Sequence, residues 1–92
     1  MKWTVLWKPD SEGDLADLWV DSDEKPAITA AANRIDVQLR RDPLNTGESR
    51  EVEQDRVYFD PPLGVLFTVD ELDRKVFVER VWRIPSDEQD EN

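Results

Sequence analysis

The chain has 92 residues with 22 acidic and 12 basic side chains, a net charge of −10, and neither cysteine nor histidine. That composition excludes disulfides, thiolate and imidazole metal sites, and the Ser-His and Cys-His nucleophile pairs. Only carboxylates remain as metal ligands, and a solvated acidic surface accounts for those, so neither a metal nor a cofactor is expected. The length allows one domain with one modest core. No apolar run reaches the roughly 18 residues that span a bilayer, and the N-terminus lacks a signal peptide's apolar region. A soluble cytoplasmic protein without membrane contact is expected.

In chain order, residues 2–7 alternate, with Trp3, Val5 and Trp7 on one face and Lys2, Thr4 and Leu6 on the other. Period two with β-branched and aromatic side chains predicts a strand, which Pro9 ends. Ser11-x-x-Asp14 is a variant of the capping box, and Leu15, Leu18 and Trp19 follow it, predicting a helix over roughly 11–21. Asp23 is placed to cap a second helix with Pro26 in its first turn. Ile28, Ala32, Ile35 and Leu39 give this helix one continuous apolar stripe, and Asp42-Pro43 stops it. The short link between the helices implies an antiparallel helical hairpin.

Residues 44–49 read as a loop, and residues 50–60 alternate as a strand. Pro61-Pro62 interrupts the chain before a strand over 63–69, and 70–73 forms a four-residue hairpin loop. In the last strand, from Arg74 to about Ile84, Val76 and Val78 share a face but the next aliphatic residue is Val81. A β-bulge at Glu79-Arg80 restores the register. The fold class is therefore α+β: one β-α-α-β-β-β domain over residues 1–85, its sheet antiparallel through the last three strands, with the helical hairpin on one face. Residues 86–92 are an acidic tail expected to be disordered.

Charge is unevenly placed. Residues 10–24 hold seven acids and no base, whereas Arg34, Arg40, Arg41, Arg50, Arg56, Arg74, Arg80 and Arg83 all come later. A dipolar molecule follows, with an acidic helical side and a more basic sheet side. The net charge disfavours binding to nucleic acid or the ribosome, which depends on neutralising phosphates. Arg50, Arg56, Arg80 and Arg83 are the candidates for a phosphate patch; the plainer alternative pairs them across strands with Glu48, Glu51, Glu53 and Glu79. Trp3, Trp7 and Trp19 are expected in the core. Trp82 breaks the strand pattern and is the candidate exposed contact residue.

This order of elements, with Asp14, Leu15, Leu18 and Trp19 in helix one, Leu39 and Pro43 at the end of helix two, Gly47-x-x-Arg50, and Val76, Val78 and Val81 in the closing hairpin, resembles the RelE/ParE superfamily. These are the toxins of type II toxin–antitoxin operons, associated with plasmid stabilization. The resemblance spans about residues 2–84 and implies a small antitoxin as partner. In members that cleave mRNA on the ribosome it would also imply a set of basic and aromatic residues on the sheet. Matched residue by residue, that set is mostly missing. The strand arginine falls on Gly64, its following tyrosine on Phe67, and the terminal histidine or tyrosine on Trp82 or Arg83. Arg50, Arg56, Arg80 and Arg83 could stabilise a phosphate, but arginine is a poor proton carrier. The expectation is therefore a toxin-like protein that is not an enzyme and acts, if it acts, by inhibiting a protein target. The alternatives are an endoribonuclease with a rearranged site and a non-toxic interaction domain. Partner binding is expected at Arg56, Arg80, Trp82 and Arg83, with the acidic helix a solvated face that speeds association.

Overall fold

A computed structural model describes residues 2–49 and 55–84. Its elements are β1 (Thr4–Trp7), α1 (Pro9–Asp21), α2 (Lys25–Arg41), a 3-10 turn (Pro43–Asn45), β2 (Glu48–Ser49), β3 (Asp55–Asp60), β4 (Leu63–Asp70) and β5 (Lys75–Arg83). The beginning of the strand predicted from residue 50, Arg50 itself, the domain boundary at 85 and the acidic tail lie outside the described residues.

The sheet runs β1-β5-β4-β3-β2, with β2 only two residues long. β3, β4 and β5 are antiparallel neighbours, as their alternation and short turns require. β1 adds parallel to β5, Val5 opposite Val76 and Trp7 opposite Val78, so the sheet is mixed. A parallel neighbour needs a long crossover, which the rest of the chain supplies. Both helices pack on one face of this sheet, as the α+β reading requires.

The core lies between sheet and helices. Ile28, Ala31, Ile35 and Leu39 of α2 are buried against Val5, Leu63, Val65, Phe67, Val76 and Val78. Leu15 and Leu18 of α1 are only partly buried at its edge. Trp3 is buried beneath the Arg74 guanidinium, 4.5 Å from the ring centre. The bulge expected near Glu79 is present: Leu66 faces Arg80 and Phe67 faces Val78, leaving Glu79 as the extra residue. It lets Val78 and Val81 share the core face.

The helix starts differ from the sequence reading. α1 begins at Pro9, where the missing proline N–H costs nothing. Ser11 therefore lies inside the first turn, buried, and donates to the Lys8 carbonyl at 2.8 Å instead of capping. Before α2, it is the buried Ser22, not Asp23, whose Oγ accepts a backbone N–H, that of Glu24 at 2.8 Å. Gly47 follows the 3-10 turn with φ +74, and a Cβ there would collide with the Val57 carbonyl. Glycine is required at this position by both backbone and space.

Candidate functional site

Residues opposite each other in antiparallel strands share a face, so the register sorts the candidate residues. Gly64 faces Trp82 and Phe59, and Leu66 faces Arg80 and Val57, all on the side away from the helices, the open face. Arg56 faces Phe67, and Arg83 faces Leu63, which places both on the helix side. The four residues expected to form one partner-binding patch are thus divided between two faces, Arg80 with Trp82 and Arg56 with Arg83.

Gly64 is buried although it has no side chain, because the Trp82 indole covers it. A Cβ on Gly64 would lie 2.7 Å from Trp82 Nε1, 2.8 Å from Cε2 and 3.0 Å from Phe59 Cδ1. Phe59 meets Trp82 edge to face, with ring centres 6.2 Å apart. Trp82, expected as an exposed contact residue, is therefore half-buried, filling the space where the resemblance calls for an arginine. Phe59 stands beside it, 54% exposed.

Arg80 is not free for a ligand either. Its Nε and Nη2 donate to Asp14 Oδ2 at 2.7 Å and Oδ1 at 2.9 Å, and the same Asp14 Oδ2 accepts the Val81 N–H at 3.0 Å. The cause is topological. β1 covers the outer edge of β5 only as far as Val78, whose carbonyl accepts the Lys8 N–H at 3.1 Å. Beyond it α1 runs along that edge, and Asp14 takes the place of a missing strand. The Arg80 hydrogen bonds hold the Asp14 carboxyl below its ordinary range against the opposing effect of burial, with the Val81 N–H adding to the lowering. Arg80 is raised in turn by its bond to Asp14. Glu79 pairs with Lys8 at 3.2 Å and accepts from Thr68 Oγ1 at 3.2 Å. Among the described residues, neither makes the cross-strand Arg–Glu pairing read from the sequence. The sheet-side basicity is further offset at α2, where Arg34 grips Asp60 with two nitrogens and is raised by it.

A second accessible feature lies on the helices. A cleft of about 610 Å³ opens between α1 and α2, with Leu15, Ala16, Trp19 and Val20 on one wall and Ile28 and Ala32 on the other. Its indole N–H groups are already satisfied: Trp7 donates to Asp36 at 3.0 Å and Trp19 to Thr29 at 3.2 Å. Trp19, expected in the core, is 43% exposed, and Val20 is 65% exposed. The signal was in the sequence: Leu18, Trp19 and Val20 are consecutive, and at 100° per residue they cannot all face one core. Among the described residues, no cluster of acids is arranged to hold a metal ion, and no helix is long and apolar enough to cross a membrane.

No family model matches the sequence, and no curated protein matches it at a significant level. Solved structures do match its fold. A chain of the toxin–antitoxin complex RelBE2 from Mycobacterium tuberculosis superposes with a TM-score of 0.74 at 24% identity, over 90% of this chain and 99% of that one. A chain of the chromosomal ParDE toxin–antitoxin system of P. aeruginosa gives 0.69 at 15% identity, over 90% and 97%. The conserved hypothetical protein HP0892 of Helicobacter pylori gives 0.57 at 10%, over 88% and 93%. The fold is that of the RelE/ParE-type toxins of toxin–antitoxin systems.

Proposed function

We propose that this protein is a cytoplasmic, toxin-like component of a type II toxin–antitoxin system, which binds a small antitoxin protein and acts on its target by binding a protein rather than by cutting mRNA. The observation that carries the reading is the Trp82 indole lying on Gly64. Cleavage of a phosphodiester by the 2′-hydroxyl needs a base, a cation at the phosphate and an acid for the leaving oxygen. At the position where the resemblance places the cation, the open face offers an aromatic pair. The neighbouring arginine is neutralised by Asp14, and the chain has no histidine. A protein-binding action needs none of these groups.

Induced expression in bacteria, with growth followed and messages mapped by primer extension, tests the reading. Growth arrest without discrete cuts in translated messages is expected, relieved by the cognate antitoxin. Codon-phased cuts would overturn it in favour of the endoribonuclease with a rearranged site. Undisturbed growth would favour a non-toxic interaction domain on the same fold.

A further inference from the structure

We infer that the cleft between α1 and α2 is a binding site for a small organic cation, an ammonium group carried on a compact apolar body. This goes beyond the proposal of a partner-binding protein and does not rest on it.

The size of the cleft sets the class of ligand. Its volume of about 610 Å³ falls within the roughly 300–1,000 Å³ that small-molecule sites occupy. Leu15, Ala16, Val20, Ile28 and Ala32 supply apolar walls, so the body of the ligand is apolar. Both indole N–H groups on the walls are engaged inside the protein, Trp7 with Asp36 and Trp19 with Thr29. They are not available to a ligand's acceptor groups.

Charge sets the sign. Among the described residues, Glu12 and Asp36 are the ionisable groups on the lining, and no lysine or arginine joins them. Asp36 is already compensated: its Oδ1 accepts from Trp7 and its Oδ2 from Arg40 Nε at 2.7 Å. Glu12 makes no ion pair among the described residues. A cation entering the cleft meets an unpaired carboxylate on a molecule of net charge −10. An anion meets no positive group on the lining and is repelled by the same field. Glu12 is exposed, so its own share is small, as for surface charge pairs.

The indoles supply the larger share. A cation over an aromatic face is attracted by the ring quadrupole, most strongly for tryptophan. Trp19 already holds one in this way, with Lys25 Nζ 5.2 Å from its ring centre. Lys25 borders a neighbouring depression of about 430 Å³, which Trp19 also lines, and not the cleft itself. The cleft therefore presents Trp7 and Trp19 without a cation of the protein's own among its described lining residues. A neutral body of the same size would gain the apolar walls alone.

The test uses the full chain labelled with nitrogen-15 and three probes of nearly equal size: phenethylammonium, neutral phenethyl alcohol and the phenylacetate anion. Each of the four tryptophans gives one indole N–H signal, and single substitutions assign them. Saturable shifts are expected at Trp7 and Trp19, with Trp3 and Trp82 unmoved as internal references. The ammonium should reach half-saturation at a concentration at least about fivefold lower than the alcohol, and phenylacetate should bind most weakly. Trp19→Leu keeps apolar bulk and removes the aromatic face, so it should cut the preference for the ammonium over the alcohol at least about threefold. Glu12→Gln should weaken the ammonium about twofold and leave the alcohol unchanged. Leu72→Ala, in the turn between β4 and β5, should shift neither value. Raising NaCl from 50 to 300 mM should weaken the ammonium alone. Glu12 and Trp19 are exposed, and circular dichroism melts verify that their variants stay folded. Equal half-saturation by the three probes would show an apolar groove without charge preference and would overturn the inference. So would tighter binding of phenylacetate, a cation preference untouched by Trp19→Leu, shifts confined to Trp82, or no saturable shift at all.

Discussion

Gly64 and Trp82 act as a pair, since one residue's missing side chain is the other's seat. A Cβ at Gly64 would sit 2.7 Å from the indole nitrogen, so Gly64→Ala must displace the ring, at a cost of about 1–3 kcal/mol from overpacking. In a Trp82→Ala background the same change should cost little, and the difference measured by denaturant unfolding should exceed about 0.5 kcal/mol. Simple additivity would mean that the ring moves aside freely. Asp14 is the second such residue, because one carboxylate serves both the Arg80 guanidinium and the Val81 N–H. Asp14→Asn should cost about 1 kcal/mol at pH 7 through loss of the charged hydrogen bonds, the Arg80 pair being largely exposed. The folded carboxyl is held low, so its stabilisation is present above about pH 4, the ordinary unfolded value, and is lost as pH falls through the depressed value. The gap between wild type and variant should therefore close in melts taken at decreasing pH, and a gap independent of pH would refute the ionic role.

Among the elements, α2 was the most readable and α1 the least. Ile28, Ile35 and Leu39 of the stripe are buried as their spacing requires. Ala31 completes it in place of the expected Ala32, which is partly buried and lines the cleft, while Val37 on the other side is 53% exposed. Ile35→Ala should cost about 2–5 kcal/mol by opening a cavity, and Val37→Ala within about 0.5 kcal/mol, as for surface positions. Equal effects on the melting temperature would mean that α2 packs in another rotation. α1 divides its apolar residues between two directions. Leu18 faces inward while Trp19 and Val20 look into the cleft, and a simple two-sided amphipathic pattern cannot describe it. In β5, the slip between Val78 and Val81 revealed the bulge, because a strand with one buried face cannot change faces without an extra residue.

Across the whole molecule, the balance is between repulsion among 22 acids and a few ion pairs, among them Asp14–Arg80, Arg34–Asp60 and Lys8–Glu79. The pairs are exposed on their basic side, and such pairs contribute ~1 kcal/mol or less each. Self-repulsion of an excess of ten charges outweighs them and is screened within a Debye length of about 10 Å at 0.1 M salt. The melting temperature should therefore rise as NaCl goes from 20 to 300 mM. A fall would mean that the ion pairs dominate the repulsion.

Taken alone, the sequence determined the order of the main elements, the larger part of the buried stripe of α2, the antiparallel β3-β4-β5 meander and the bulge, because periodicity records how each element divides its two faces; the two-residue β2, in a stretch read as a loop, is too short to show a period. It also placed Gly64 where the resemblance calls for an arginine, since that comparison is made position by position. Tertiary structure alone decided that β1 joins β5 in parallel and that Arg80, 66 residues away in the chain, is claimed by Asp14. It decided as well that Trp82 folds down onto Gly64 and that Trp19 stays at the surface. These outcomes depend on which edge a neighbour leaves uncovered and how far two helices splay. Such facts belong to pairs of elements distant in the chain, and the pattern within either element does not contain them.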